Sequence, residues 1–143
     1  MIYFDSSALV KRYIEEKGSD KVNALLEEKS VAATSRLTYA EILAAITRRH
    51  KTGDIETPAF EKIKKAFKAD WKSFTVVEMR TEVFEFVDTV IDRHALKGAD
   101  SVHLSTALWL KQTMKEDVIF VASDLELLKA AKAEKLSILN PRI

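Results

Sequence analysis

A five-residue apolar run, Val118 to Ala122 (VIFVA), constrains the fold more than any other stretch of the chain. Neither of its alternating faces carries a polar side chain, so a strand built from it is covered on both sides, the setting of a central strand in a parallel sheet. Parallel strands need long crossover connections, usually helical, and the flanking sequence supplies them. Ala99 to Lys111 reads as a helix that is apolar nearly all round, through Val102, Leu104, Ala107, Leu108, Trp109 and Leu110, as expected of a helix buried on more than one side. Leu125 to Ala133 reads as a second helix, leading to a further strand at Ser137 to Leu139.

The same alternation runs through the rest of the chain. Ile2 to Phe4 forms strand one, and a helix from Ser7 to Glu16 follows, with Leu9, Val10, Tyr13 and Ile14 on its apolar face. Gly18 breaks it, and Ser19 is the expected N-cap of a helix carrying Val22, Leu25 and Leu26. Val31 to Thr34 reads as strand two. A helix from Leu37 to Lys51 then bears Tyr39, Ile42, Leu43 and Ile46 on one stripe. Thr57-Pro58 opens a helix with Pro at its first position and a stripe of Phe60, Ile63, Phe67 and Trp71. Thr75 to Glu78 is strand three, and Thr81 to Ala95 is one amphipathic helix. Five short strands separated by helices predict a three-layer α/β/α sandwich with a mainly parallel sheet, doubly wound in the order 3-2-1-4-5. Each crossover after strands two and three holds two helices, so one helix in each runs across the sheet or projects from it.

The 143 residues contain three glycines and two prolines, with no repeat or linker, and read as a single domain spanning 1–143. The formal net charge of +1 lacks the strong basic excess of many nucleic-acid binders, although a basic patch is compatible with it if the acids gather elsewhere. With no cysteine, disulfides and thiolate metal sites are excluded. No signal-peptide pattern and no apolar run of membrane-spanning length is present, so a cytoplasmic location is expected.

In an open parallel sheet, ligands bind beyond the carboxyl ends of the strands at the switch point. Asp5 leaves strand one at that edge, and Asp124 leaves strand four there. Glu41, in the first turn of the helix after strand two, belongs to the same edge, as does Asp100, at the start of a helix that must descend to the foot of strand four. Each acid alone has a plain structural explanation. Asp5, Asp100 and Asp124 suit helix caps, and Glu41 suits a helix dipole. Four acids at one edge repel unless a cation or protons sit among them. An all-oxygen donor set suits Mg²⁺ or Mn²⁺, and such an ion fits hydrolysis of a phosphodiester.

Four blocks carry a resemblance: MIYFDSSALVKRY, SRLTYAEILAAITRR, KGADSVHLSTAL and VIFVASDLELLKAAKAEKLSILNP. In order and end to end, they resemble the PIN-domain ribonucleases, and most of all the VapC-type toxins of prokaryotic toxin–antitoxin pairs. The family's four acids fall on Asp5, Glu41, Asp100 and Asp124. The resemblance implies Mg²⁺- or Mn²⁺-dependent endoribonuclease activity leaving a 5′-phosphate and a 3′-hydroxyl. Metal would be held by Asp5, Asp100 and Asp124, with Glu41 direct or through water, and Ser7 would bond a carboxylate. It implies a homodimer and a cognate antitoxin that fills the groove over the acids. One departure stands out: where the family often has Thr or Ser two residues before the fourth acid, this chain has Ala122, with Ser123 displaced by one.

Among the remaining residues, Lys11, Arg12, Arg36 and Lys97 are placed near the carboxyl edge, where they suit contacts to RNA phosphates, although solvated surface explains any one of them equally simply. His103, one turn after Asp100, reads as a buried structural histidine, and Trp71 and Trp109 as packing residues. The competing function is a catalytically inactive PIN-like domain that binds RNA or acts as a scaffold. The full set of acids argues against it. A receiver or a haloacid-dehalogenase-like phosphatase fits poorly: the phosphatase wants an acid two residues after Asp5, where Ser7 stands.

Overall fold

The computed structural model describes all residues 1–143. Its centre is a five-stranded sheet of β1 (Ile2–Phe4), β2 (Ala32–Ser35), β3 (Thr75–Val77), β4 (Ile119–Val121) and β5 (Ser137–Leu139), in the order β3-β2-β1-β4-β5. All four pairings are parallel, so the expected order and direction both hold. The VIFVA run supplies β4, which pairs with β1 on one side and β5 on the other.

Strand alternation sorts the core into two halves. Ile2 and Phe4 of β1 face one way, with Val121 of β4, toward α1 (Ser6–Leu9), α2 (Ser19–Glu27), α3 (Arg36–Lys51) and α4 (Thr57–Trp71). Tyr3 and Phe120 face the other way, toward α5 (Thr81–Phe84), α6 (Val87–His94), α7 (Gly98–Met114) and α8 (Leu125–Ala133). Their rings stack with centroids 5.5 Å apart. Burial of α7 on several sides is borne out: Ser101 through Ala107 are all buried. In the long crossovers, α4 lies on α3, while α5 and α6 lie on α7.

Three local expectations are corrected. The helix expected over Ser7 to Glu16 ends early: α1 stops at Leu9, and a 3-10 turn at Val10–Arg12 closes it. Packing of Tyr13 and Ile14 into the core outweighs helix propensity here, and Tyr13 also donates its hydroxyl to Asp70 (2.9 Å). Gly18, with φ +100°, takes the N-cap position expected of Ser19, whose hydroxyl instead accepts the Glu16 N–H (2.9 Å). The single helix expected over Thr81 to Ala95 is broken at Glu85–Phe86, where the Phe86 N–H bonds Val83 three residues back (3.1 Å). The tightened turn bends the segment along α7, and Val83 and Val90 are both buried. No helix is long and apolar enough to cross a membrane.

Candidate active site

Asp5 follows directly on β1, and its N–H still bonds across to the Val121 carbonyl of β4 (3.1 Å). It then caps α1, accepting the Ala8 N–H (2.9 Å). Ser7 Oγ lies 2.8 Å from both carboxylate oxygens and donates to them. The same oxygen accepts the Ser123 N–H (3.0 Å), tying the ends of β1 and β4 together. Asp5 is only 2% exposed, and burial is the chief reason its carboxyl is pushed up to about 6, against the pull of His103, Ser7 and Ala8 and with a further push from the charge of Asp100.

Asp100 lies in the first turn of α7. Its carboxyl is raised, first by burial and then by the charge of Asp124, with a smaller push from Glu41; His103 and Lys97 oppose the rise. Asp124 caps α8, accepting the Leu127 N–H (2.9 Å), and is exposed. Because α3 begins at Arg36, Glu41 lies a turn deeper than expected, on a half-buried face. There it meets His103, whose Nε2 is 2.7 Å from Glu41 Oε1. His103 Nδ1 lies 2.8 Å from the Tyr3 hydroxyl, so a phenol, an imidazole and a carboxylate form one chain running from the core to the acidic edge. A tautomer protonated on Nε2 lets Tyr3 donate to His103 and His103 donate to Glu41. Sequence reasoning had His103 as buried but missed both of its partners, which lie far away along the chain.

The structure thus brings Asp5, Asp100, Asp124 and Glu41 within reach of one another's charge. The donor chemistry, all carboxylate oxygen with two carboxyls raised in part by neighbouring acids, suits a hard divalent cation. The acids do not close on a single point: no three Asp, Glu or His side chains form a ready metal-holding group. Glu41 is turned to His103, and one oxygen of Asp124 is taken by its helix cap. Ala122 is buried in the core, and the hydroxyl that bridges β1 and β4 comes from Ser7.

The four cations fare differently. Lys11 is buried, its ammonium 2.6 Å from Glu16. Arg36 forks onto Glu78 through Nε (2.9 and 3.1 Å) and Nη2. Lys97 stands exposed before α7, makes no ion pair, and lowers the Asp100 carboxyl. Arg12 turns away from the acids, bonding Asn23 (3.1 Å) and lining a cavity formed at the starts of β2 and β3. The bend at Val10–Arg12 carries it to that opposite edge. Trp71 packs among Tyr39, Phe67 and Phe74.

A five-stranded parallel sheet in this order, with acids at the carboxyl ends of its central strands, defines the class. A family model described as PIN domain matches residues 2–133, and the chain belongs to the PIN-domain family. It is 33% identical over 108 residues to Ribonuclease VapC49 of Mycobacterium tuberculosis (strain ATCC 25618 / H37Rv), an alignment covering 76% of this chain and 75% of that protein. FitAcB from Neisseria gonorrhoeae shares the fold, with a TM-score of 0.73 at 14% identity over 99% of this chain and 98% of that one. So does VapBC2 from Rickettsia felis bound to a DNA fragment from their promoter, with a TM-score of 0.68 at 13% identity over 98% of each chain.

Proposed function

We propose that residues 1–143 form one PIN domain that acts as a metal-dependent endoribonuclease of the VapC toxin type, held in check by an antitoxin. The observation that carries this reading is the buried Asp5, braced by two donors at the end of β1 and raised by burial and by the charge of Asp100. A purely structural cap gains nothing from being buried and set facing a second acid. Mg²⁺ or Mn²⁺ would be held by Asp5, Asp100 and Asp124, with Glu41 direct or through water, and when bound it supplies Lewis acidity and a water of lowered pKa. Ser7 and the Ala8 N–H fix the Asp5 oxygens. His103 holds Glu41 at the rim, and Lys97 places a free cation beside Asp100, where an RNA phosphate approaches. Hydrolysis would leave a 5′-phosphate and a 3′-hydroxyl. The ribonuclease name of the M. tuberculosis relative supports the activity. The antitoxin, the homodimer and the cytoplasmic setting belong to the same reading through the family likeness.

The test is cleavage of a mixed RNA pool by purified protein freed of any partner, with Mg²⁺ or Mn²⁺, with EDTA, and with Asp5→Asn. Cleavage that needs the metal and disappears in the variant is the expected result. RNA binding without cleavage would favour the inactive binding domain instead.

A further inference from the structure

Beside the acids lies a cavity of about 500 Å³ with the opposite charge. Lys11, Lys17 and Arg142 line it against a single carboxylate, Glu16, and Ser7 and Ser123 form the wall nearest the acids. Ser7 is bonded to Asp5, and Ser123 directly precedes Asp124, so the cavity adjoins the carboxylates. Glu16 pins the Lys11 ammonium at the wall, whereas Lys17 and Arg142 are exposed and make no ion pair. Ser123 Oγ is buried without a hydrogen-bond partner. Gly18 makes this arrangement possible: an added Cβ there would stand 2.8 Å from the Pro141 carbonyl oxygen, so only glycine lets the segment bearing Arg142 close against the loop bearing Lys17. Lys21 then bonds the Ile143 carbonyl.

We propose that this cavity is a phosphate subsite that seats a phosphodiester of single-stranded RNA flanking the bond presented to Asp5, Asp100 and Asp124. The proposal rests on the ribonuclease reading and extends it. Phosphate oxygens only accept hydrogen bonds, and ammonium, guanidinium and hydroxyl groups are the donors that suit them. An acidic centre repels a polyanion, so cations directly alongside hold the strand where the acids alone would expel it.

The test uses the full chain carrying Asp5→Asn, so that RNA survives, and follows fluorescence anisotropy of a labelled single-stranded RNA. Adding Lys17→Ala and Arg142→Ala raises Kd roughly tenfold and lowers the salt slope by about two, one per lost phosphate contact. The conservative pair Lys17→Arg and Arg142→Lys keeps the affinity. A charge-matched pair on α4, Lys65→Ala with Lys68→Ala, leaves Kd within about twofold. Uncharged methylphosphonate linkages in the RNA abolish the difference made by the Lys17 and Arg142 changes. An equal loss from the α4 pair, or no loss from the cavity pair, overturns the subsite. The two readings fail separately. A wild-type chain that cuts no RNA but binds it through Lys17 and Arg142 removes the nuclease and keeps the subsite. A chain that cuts RNA with affinity indifferent to both residues does the reverse.

Discussion

Ionising Asp5 takes a charge out of water at a nearly closed position, and Ser7 and Ala8 offset only part of that cost. The sign for stability follows. With the native carboxyl at about 6 and its ordinary value at 3.8, the folded state holds the proton more tightly. Stability is therefore lost as pH rises between the two values, by about 3 kcal/mol in all. Asp5→Asn, which keeps a good N-cap residue, is expected to be more stable than wild type at pH 8 in EDTA by about 1–3 kcal/mol, with the gap closing toward pH 4. Urea unfolding across that range checks it; a gap that does not vary with pH would mean that Asp5 is not the group paying. Tyr3→Phe keeps the stack on Phe120 but leaves His103 Nδ1 without its partner. A loss of about 1–3 kcal/mol is expected, and a loss below about 0.5 kcal/mol in the same assay would count against that buried bond. Asp5 was legible in the sequence because a β-prone run stops at it and a helix begins. The Tyr3–His103–Glu41 chain was not, because its members meet only through the register of a strand and two helices that are distant in sequence.

The five strands could be read from short apolar runs, and each strand's edges fell within a residue or two of expectation. Helices that lie on other helices were harder. The break between α5 and α6 and the early end of α1 answer to packing against α7 and to the burial of Tyr13 and Ile14, neither of which a local pattern encodes. The same limit misplaced Arg12, which a longer α1 would have kept at the acidic edge. The turn between α1 and α2 is the element whose geometry is most demanding: Gly18 combines φ +100° with backbone contact to Pro141. Gly18→Ala meets both strain and collision, and should cost about 1–3 kcal/mol. A shift in the urea midpoint at unchanged m-value is the readout, and an unchanged midpoint would show that the Pro141 segment does not hold this position in solution.

Taken whole, the molecule is almost neutral, yet its charges are sorted: carboxylates crowd the carboxyl edge of the sheet, and lysines line one face of α4. Net charge alone hid that separation from the sequence, whereas the crossover rules for parallel strands brought it back for the acids. If the acids hold a divalent cation, millimolar Mn²⁺ should raise the Tm of wild type through binding to the folded state alone, by about 3 kcal/mol of added stability at a hundredfold excess over Kd. Asp5→Asn should show little of that rise in the same thermal melt, and equal rises in both proteins would remove Asp5 from the metal site. The pairing of β1 with β4 has a different consequence, in the timing of assembly. Ile2 registers with Ile119, so the two central strands join across more than a hundred intervening residues. Closing so long a loop is slow and comes after local helices have formed. Asp5 and Asp124 are therefore kept apart until β4 has emerged and docked, and a partly synthesised chain is a harmless one.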